Sequence, residues 1–164
     1  MIPAIYQTYA RYNAWMNESL YAGCAKLPDA QRKKDLGAFF KSIHGTLTHI
    51  QVGDRIWLAR FTGETVPALA LDANLHEDFN ELWTARRLLD GEITAFAANL
   101  REDWLTQPFS FTSVAYKRTF TYPAWFLVTH MFNHQTHHRG QVTTLMKQCG
   151  IDPGPTDFPA LPPA

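Results

Sequence analysis

The chain has 164 residues, 46% of them hydrophobic and 13% aromatic, enough for one domain that buries roughly two thirds of its unfolded surface. Fifteen basic residues balance fifteen acidic ones, so the basic excess of a nucleic-acid binder is missing. No run of 18 apolar residues and no apolar leader block occurs, and the expectation is a cytoplasmic protein that neither spans a membrane nor binds nucleic acid.

Residues 3 to 24 carry Ile5, Tyr9, Tyr12, Met16 and Leu20 at steps of three and four, one face of a helix. Pro3 suits its first turn, while Gly23 and Pro28 mark the exit. Residues 25 to 36 are polar and read as a connection with a helical turn. A second helix is expected from about Gly37 to Phe61, with the stripe Ile43, Leu47, Ile50, Asp54, Trp57 and Phe61. His49 lies beside that stripe, on the same side as Gly53, Ile56 and Arg60.

A third helix, about Asn74 to Arg101, has the stripe Leu75, Phe79, Leu82, Arg86, Leu89, Ile93, Phe96 and Leu100. Gly91 in its interior costs up to about 1 kcal/mol relative to alanine, which suggests close packing there. The stretches 108–113 and 117–122 alternate like two short strands, a small hairpin or an extended loop, with Lys117 and Arg118 on a solvated face. Pro123 restarts a helix whose stripe is Leu127, Met131, His134, His138, Val142, Leu145 and Cys149. Gly150 ends it, and the proline-rich tail is irregular.

Four amphipathic helices in a single domain, 1–164, predict an all-α four-helix bundle with a short irregular or hairpin insertion before the last helix. The connection between the second and third helices has about twelve residues. These reach roughly 40 Å when extended, so a crossover that leaves the two helices parallel is allowed. Cys24 and Cys149 read as reduced structural thiols rather than a disulfide.

Four of the seven histidines fall within residues 130–138. Imidazole is the commonest transition-metal ligand, and side chains at i and i+4 point the same way on a helix. The pairs 130/134, 134/138 and 134/137 all have ligand spacing. Only His134 and His138 occupy stripe positions; His130 and His137 flank them. A third ligand is expected from His49, which sits at the middle of its helix, level with the middle of the last helix if the two pack side by side. His44 lies roughly 7 Å further along, and His76 near a bundle end. Three unpaired imidazoles in a core would cost on the order of 1 to 3 kcal/mol each, a penalty that a metal removes. Asp54 and Arg86, each the lone charge of its stripe, read as a buried ion pair that sets register. The alternative is that Asp54 orients a ligand imidazole. No phosphate loop, Cys-x-x-Cys pair or nucleophile elbow is present.

The segments Ser42-Ile43-His44-Gly45-Thr46-Leu47-Thr48-His49 and Asp54-Arg55-Ile56-Trp57-Leu58-Ala59-Arg60-Phe61 resemble the DinB family, as does Phe132-Asn133-His134-Gln135-Thr136-His137-His138-Arg139-Gly140-Gln141-Val142. The opening Tyr12-Asn13-Ala14-Trp15-Met16-Asn17 and closing Asp152-Pro153-Gly154-Pro155-Thr156-Asp157 extend the likeness over nearly the whole chain. The resemblance implies an up-down-down-up bundle, often a homodimer, with His49, His134 and His138 as a triad for a divalent metal. Nickel and zinc are the implied occupants, with iron or manganese as alternatives. It further implies thiol-dependent S-transfer to a small-molecule substrate, with a low-molecular-weight thiol as cosubstrate. A metal-dependent hydrolase and a non-enzymatic metal-binding stress-response protein are the other readings. No general base is identified.

Overall fold

Helix α1 opens the computed structural model, which describes residues 2–113 and 116–163, and runs from Ile2 to Cys24. Its inward face differs from the expected stripe at the start. Ile5 is 51% exposed, while Tyr6 and Ala10 are buried. The reason is polar as well as apolar: the Tyr6 hydroxyl donates to the Trp125 carbonyl at 3.0 Å and lies 2.9 Å from Thr129 Oγ1. From Tyr12 onward the expected face holds, with Met16 and Leu20 buried. A single turn, α2 (Asp29–Arg32), sits in the connection that follows.

Helix α3 spans Ile43–Thr62 and begins six residues later than its apolar pattern suggests. Gly37 and Lys41 both have positive φ (77° and 65°) and fold residues 37–41 into a tight turn, which no helix can include. Ser42 then caps the helix, its Oγ accepting from the Gly45 N–H at 3.0 Å. Helix α4 (Phe79–Ala98) likewise starts at a cap rather than at Asn74, with Asp78 Oδ1 accepting from the amides of Asn80 and Glu81. It is shorter at its far end too, where a turn α5 (Glu102–Leu105) follows. Gly91 is not tightly packed: a methyl there would meet nothing within 4 Å.

Strands β1 (Pro108–Ser113) and β2 (Arg118–Pro123) form the expected hairpin, antiparallel from Pro108 opposite Pro123 to Ser113 opposite Arg118. Alternation turns Phe109 and Phe111 of β1 onto Phe61 and Trp57. Helix α6 (Ala124–Gln148) follows with Pro123 just before its first residue. The tail carries a short 3-10 turn, Phe158–Ala160, whose Phe158 stacks on Tyr12.

The protein is thus mostly helical with a small two-stranded sheet. Helices α3 and α4 touch through Gln51 with Leu82, Asp54 with Arg86 and Phe61 with Phe96, pairs that climb together. Against α6 the order reverses: His49 meets His138, and Trp57 meets His130. The apolar core falls into two clusters, one around Leu58, Ile93 and Met131, the other around Leu20, Leu47 and Val142.

Between them lies a buried polar layer drawn from all four long helices. Arg86 Nη1 donates to Asp54 Oδ2 at 2.5 Å, and its Nη2 is 2.8 Å from Asp90 Oδ1. Asn13 and Asn17 donate to Asp90, Gln135 donates to Asp54 at 2.8 Å, and Arg139 donates to Asn13. Burial disfavours the Arg86 charge, but Asp90 and Asp54 outweigh it and hold the guanidinium protonated.

Candidate metal centre

His49 on α3 and His134 and His138 on α6 converge, each offering a ring nitrogen within 4.8 Å of the other two. The convergence follows from the spacing. His134 and His138 are one helical turn apart, and α3 and α6 pack side by side with His49 facing the gap between them. His49 Nε2 lies 3.1 Å from His134 Nε2. Two nitrogens at 2.0–2.1 Å from one ion are about 3.4 Å apart in a tetrahedron and about 2.9 Å apart at right angles. The observed separation lies between the two.

The other ring nitrogens are held. His49 Nδ1 is 2.7 Å from the Leu71 carbonyl, which can only accept, so this nitrogen carries the proton and Nε2 presents a lone pair. His138 Nδ1 is 2.8 Å from Gln141 Oε1, again leaving Nε2 bare. This is how metal-ligating imidazoles are usually oriented. Bare lone pairs facing one another are unsatisfied unless a proton or a cation lies between them, and a divalent ion fits this donor set.

Burial pushes all three imidazoles toward the neutral, ligating form. For His134 it acts together with His138, His49, His130 and His137, and its pKa falls to about 3. Burial also lowers His49 and His138, partly offset by the Leu71 carbonyl and by Gln141 respectively. The triad contains no carboxylate, so three neutral donors would leave the full charge of a divalent ion uncompensated.

Packing fixes the rings. Gly53 lies against the face of His134, where a methyl would sit 2.8 Å from Cε1 and 3.2 Å from Nδ1. Phe40 stacks on His49, with centroids 3.7 Å apart and planes at 16°, and meets His138 edge-on. The turn that carries Phe40 approaches α3 so closely that a Cβ at Gly45 would overlap the Phe40 carbonyl oxygen.

The remaining histidines stay outside the cluster. His44 is buried with Nε2 2.8 Å from the His76 carbonyl. The exposed His130 and His137 flank the triad, their rings 6.1 Å from His134 and 4.7 Å from His138. Asp54 orients no ligand imidazole; its carboxylate serves Arg86 and Gln135. Phe40, Gln141 and the Leu71 carbonyl were not anticipated. Gln141, three residues after His138, was within reach of a spacing argument, but a backbone carbonyl from a loop has no sequence signal.

A mostly helical protein with a three-histidine cluster between two long helices is the class these features define. The DinB family model matches residues 1–164, and the chain belongs to the DinB family. It is 28% identical over 156 residues to Protein DinB of Bacillus subtilis (strain 168), covering 90% of this chain and 87% of that protein. Its fold is similar to the crystal structure of a DinB-like protein from Bacillus cereus ATCC 10987. That likeness has a TM-score of 0.58 and 21% identity, and it covers 91% of this chain and 90% of the other.

Proposed function

We propose that this chain is a single-domain, divalent-metal-dependent enzyme of the thiol-dependent S-transferase type, with His49, His134 and His138 as the metal ligands. The helix contacts described above support an up-down-down-up bundle as its frame. One observation carries the reading: three neutral imidazoles converge with two of their outer nitrogens already tied to Leu71 and Gln141. A divalent ion held there, nickel or zinc by family resemblance, would lower the pKa of a thiol that approached it. The chain's own part is to hold three lone pairs in place, keep their carriers unprotonated at neutral pH, and supply no carboxylate to compete with an incoming anion. That last feature favours a thiolate partner over a site whose charge the protein has already cancelled.

Elemental analysis of the purified protein beside His49→Ala, His134→Ala and His138→Ala tests the ligand set. Near-stoichiometric metal in the parent and its loss from each variant is the expected result. Equal metal content in all four proteins would remove the site. A panel of low-molecular-weight thiols with electrophilic acceptors then tests S-transfer. Metal retention with turnover of esters or amides but no thiol consumption would assign hydrolysis instead, and metal retention without any turnover would leave a metal-binding protein.

A further inference from the structure

We propose that Arg60 is the anion-binding end of a strip of side chains running out from the histidine cluster, holding the carboxylate of a small molecule whose other end reaches the metal. The proposal rests on the metal reading above, and goes beyond it by naming a second recognition point and the class of ligand that spans both.

Arg60 lies on the same side of α3 as His49 and Gly53, because eleven and seven residues are close to whole numbers of helical turns. Gly53 is level with His134, and seven further residues place Arg60 about 10 Å along the axis. Opposite this stretch of α3, helix α6 presents His130, whose ring contacts both His134 and Trp57. His134, His130, Trp57 and Arg60 therefore form one continuous strip running out from the cluster.

Arg32, Arg86, Arg87 and Arg101 each face a carboxylate. Arg60 is half-buried and forms no ion pair among the described residues. Burial alone pulls its pKa down, with no acidic group offsetting it. The guanidinium carbon packs 4.6 Å from the Trp57 ring centre and 4.9 Å from that of Phe111, two rings in edge contact with each other, so both lie to one side of it. Its donor edges are far less engaged. Nη2 makes one long contact of 3.4 Å to the Thr112 carbonyl, and Nε and Nη1 bond to nothing among the described residues. A guanidinium packed against two aromatic rings, with most of its donor fork free, is placed for bidentate recognition of a planar anion. One positive charge on one fork matches a carboxylate. The separation from the histidines then selects ligands that place a carboxylate roughly 10 Å from the metal.

The test uses nickel-loaded protein and calorimetric titration with 6-mercaptohexanoate, 6-mercaptohexanol and 2-mercaptoacetate. The six-carbon acid is expected to bind about tenfold tighter than the alcohol, a difference of about 1.4 kcal/mol. Arg60→Met should abolish that preference without changing the affinity of the alcohol. Arg60→Lys, which keeps the charge but not the flat fork, should keep part of it. The short acid cannot span the strip, so Arg60→Met should leave its binding unchanged. Equal affinity for the long acid and the alcohol in the parent protein, or an equal loss of both in Arg60→Met, would overturn the proposal. A second arm separates this result from the metal reading. Hexanoate added to metal-free protein should shift the Trp57 indole N–H resonance, and Arg60→Met should remove the shift. That response upholds the anion site even if no metal is retained, and its absence from the parent counts against Arg60 even if metal is bound.

Discussion

Gly53 is the position where one methyl group tests the geometry of the centre. A Cβ there would stand 2.8 Å from His134 Cε1, and ordinary van der Waals contact begins at about 3.4 Å. Either His134 or the helix backbone must therefore yield by about 0.6 Å, whereas metal–ligand distances tolerate only about 0.2 Å. Two stability effects of Gly53→Ala oppose each other. Alanine gains up to about 1 kcal/mol in helix propensity, while overpacking costs about 1–3 kcal/mol. The net change in folding of the metal-free protein should be a loss of no more than about 3 kcal/mol. Metal binding has no such compensation, and its affinity should fall about 10- to 100-fold, as when a ligand's orientation is disturbed. Chelator competition measures the second quantity and urea unfolding of the metal-free protein the first. Gly91→Ala is the control, since a methyl there meets open space: it should add up to about 1 kcal/mol of stability and leave metal affinity alone. Parental metal affinity in Gly53→Ala would refute the claim that the Gly53 contact positions the His134 ring.

Arg86→Met should cost about 3–5 kcal/mol in urea unfolding, because it leaves two buried carboxylates without their counter-charge, and Asp54→Asn should cost less, because Arg86 keeps Asp90. A double-mutant cycle should be strongly non-additive, and additive effects would dissolve the pairing. The depressed imidazole pKa values have a definite sign. The folded triad resists protonation below the unfolded value of about 6.5, so the unfolded chain takes up protons first. Stability of the metal-free protein is therefore full above pH 6.5 and declines as pH falls toward the His134 value of about 3. Thermal melts from pH 7 to pH 5 should show this decline, shallower in His134→Gln; an equal decline in both would remove His134 as its cause. Burial pushes the Cys24 thiol up to about 12, so alkylation of native protein should spare Cys24 until unfolding, as peptide mapping would show.

The long helices were legible because their apolar periodicity reflects real burial: Leu47, Ile50, Leu82, Leu89, Leu127 and Met131 all lie in the core. The cluster was legible for a related reason, since a histidine in an apolar stripe advertises its direction. Helix starts were misplaced where apolar residues continue past the cap. Phe39 and Phe40 look like an extension of α3, yet they belong to a turn closed by Lys41 at φ 65° and ended by Ser42. The same holds at Asp78, where Leu75 continues the apolar steps past the cap. Most of the polar layer was missed because Asn13, Asn17, Gln51, Gln135 and Arg139 look like surface residues one at a time. Their burial depends on partners in other helices, and single-chain periodicity does not report those.

Gln135 and Arg139 immediately follow His134 and His138, so α6 presents one pair to the cluster and the next pair to the polar layer. Sliding α6 by one turn, about 5.4 Å, would tear Gln135 from Asp54 and Arg139 from Asn13 as well as parting His134 and His138 from His49. The layer thus works as a vernier behind the histidines, indexing the height at which α3 and α6 meet. Substitutions on the outer face of the centre can then alter what it holds without changing how the helices are aligned.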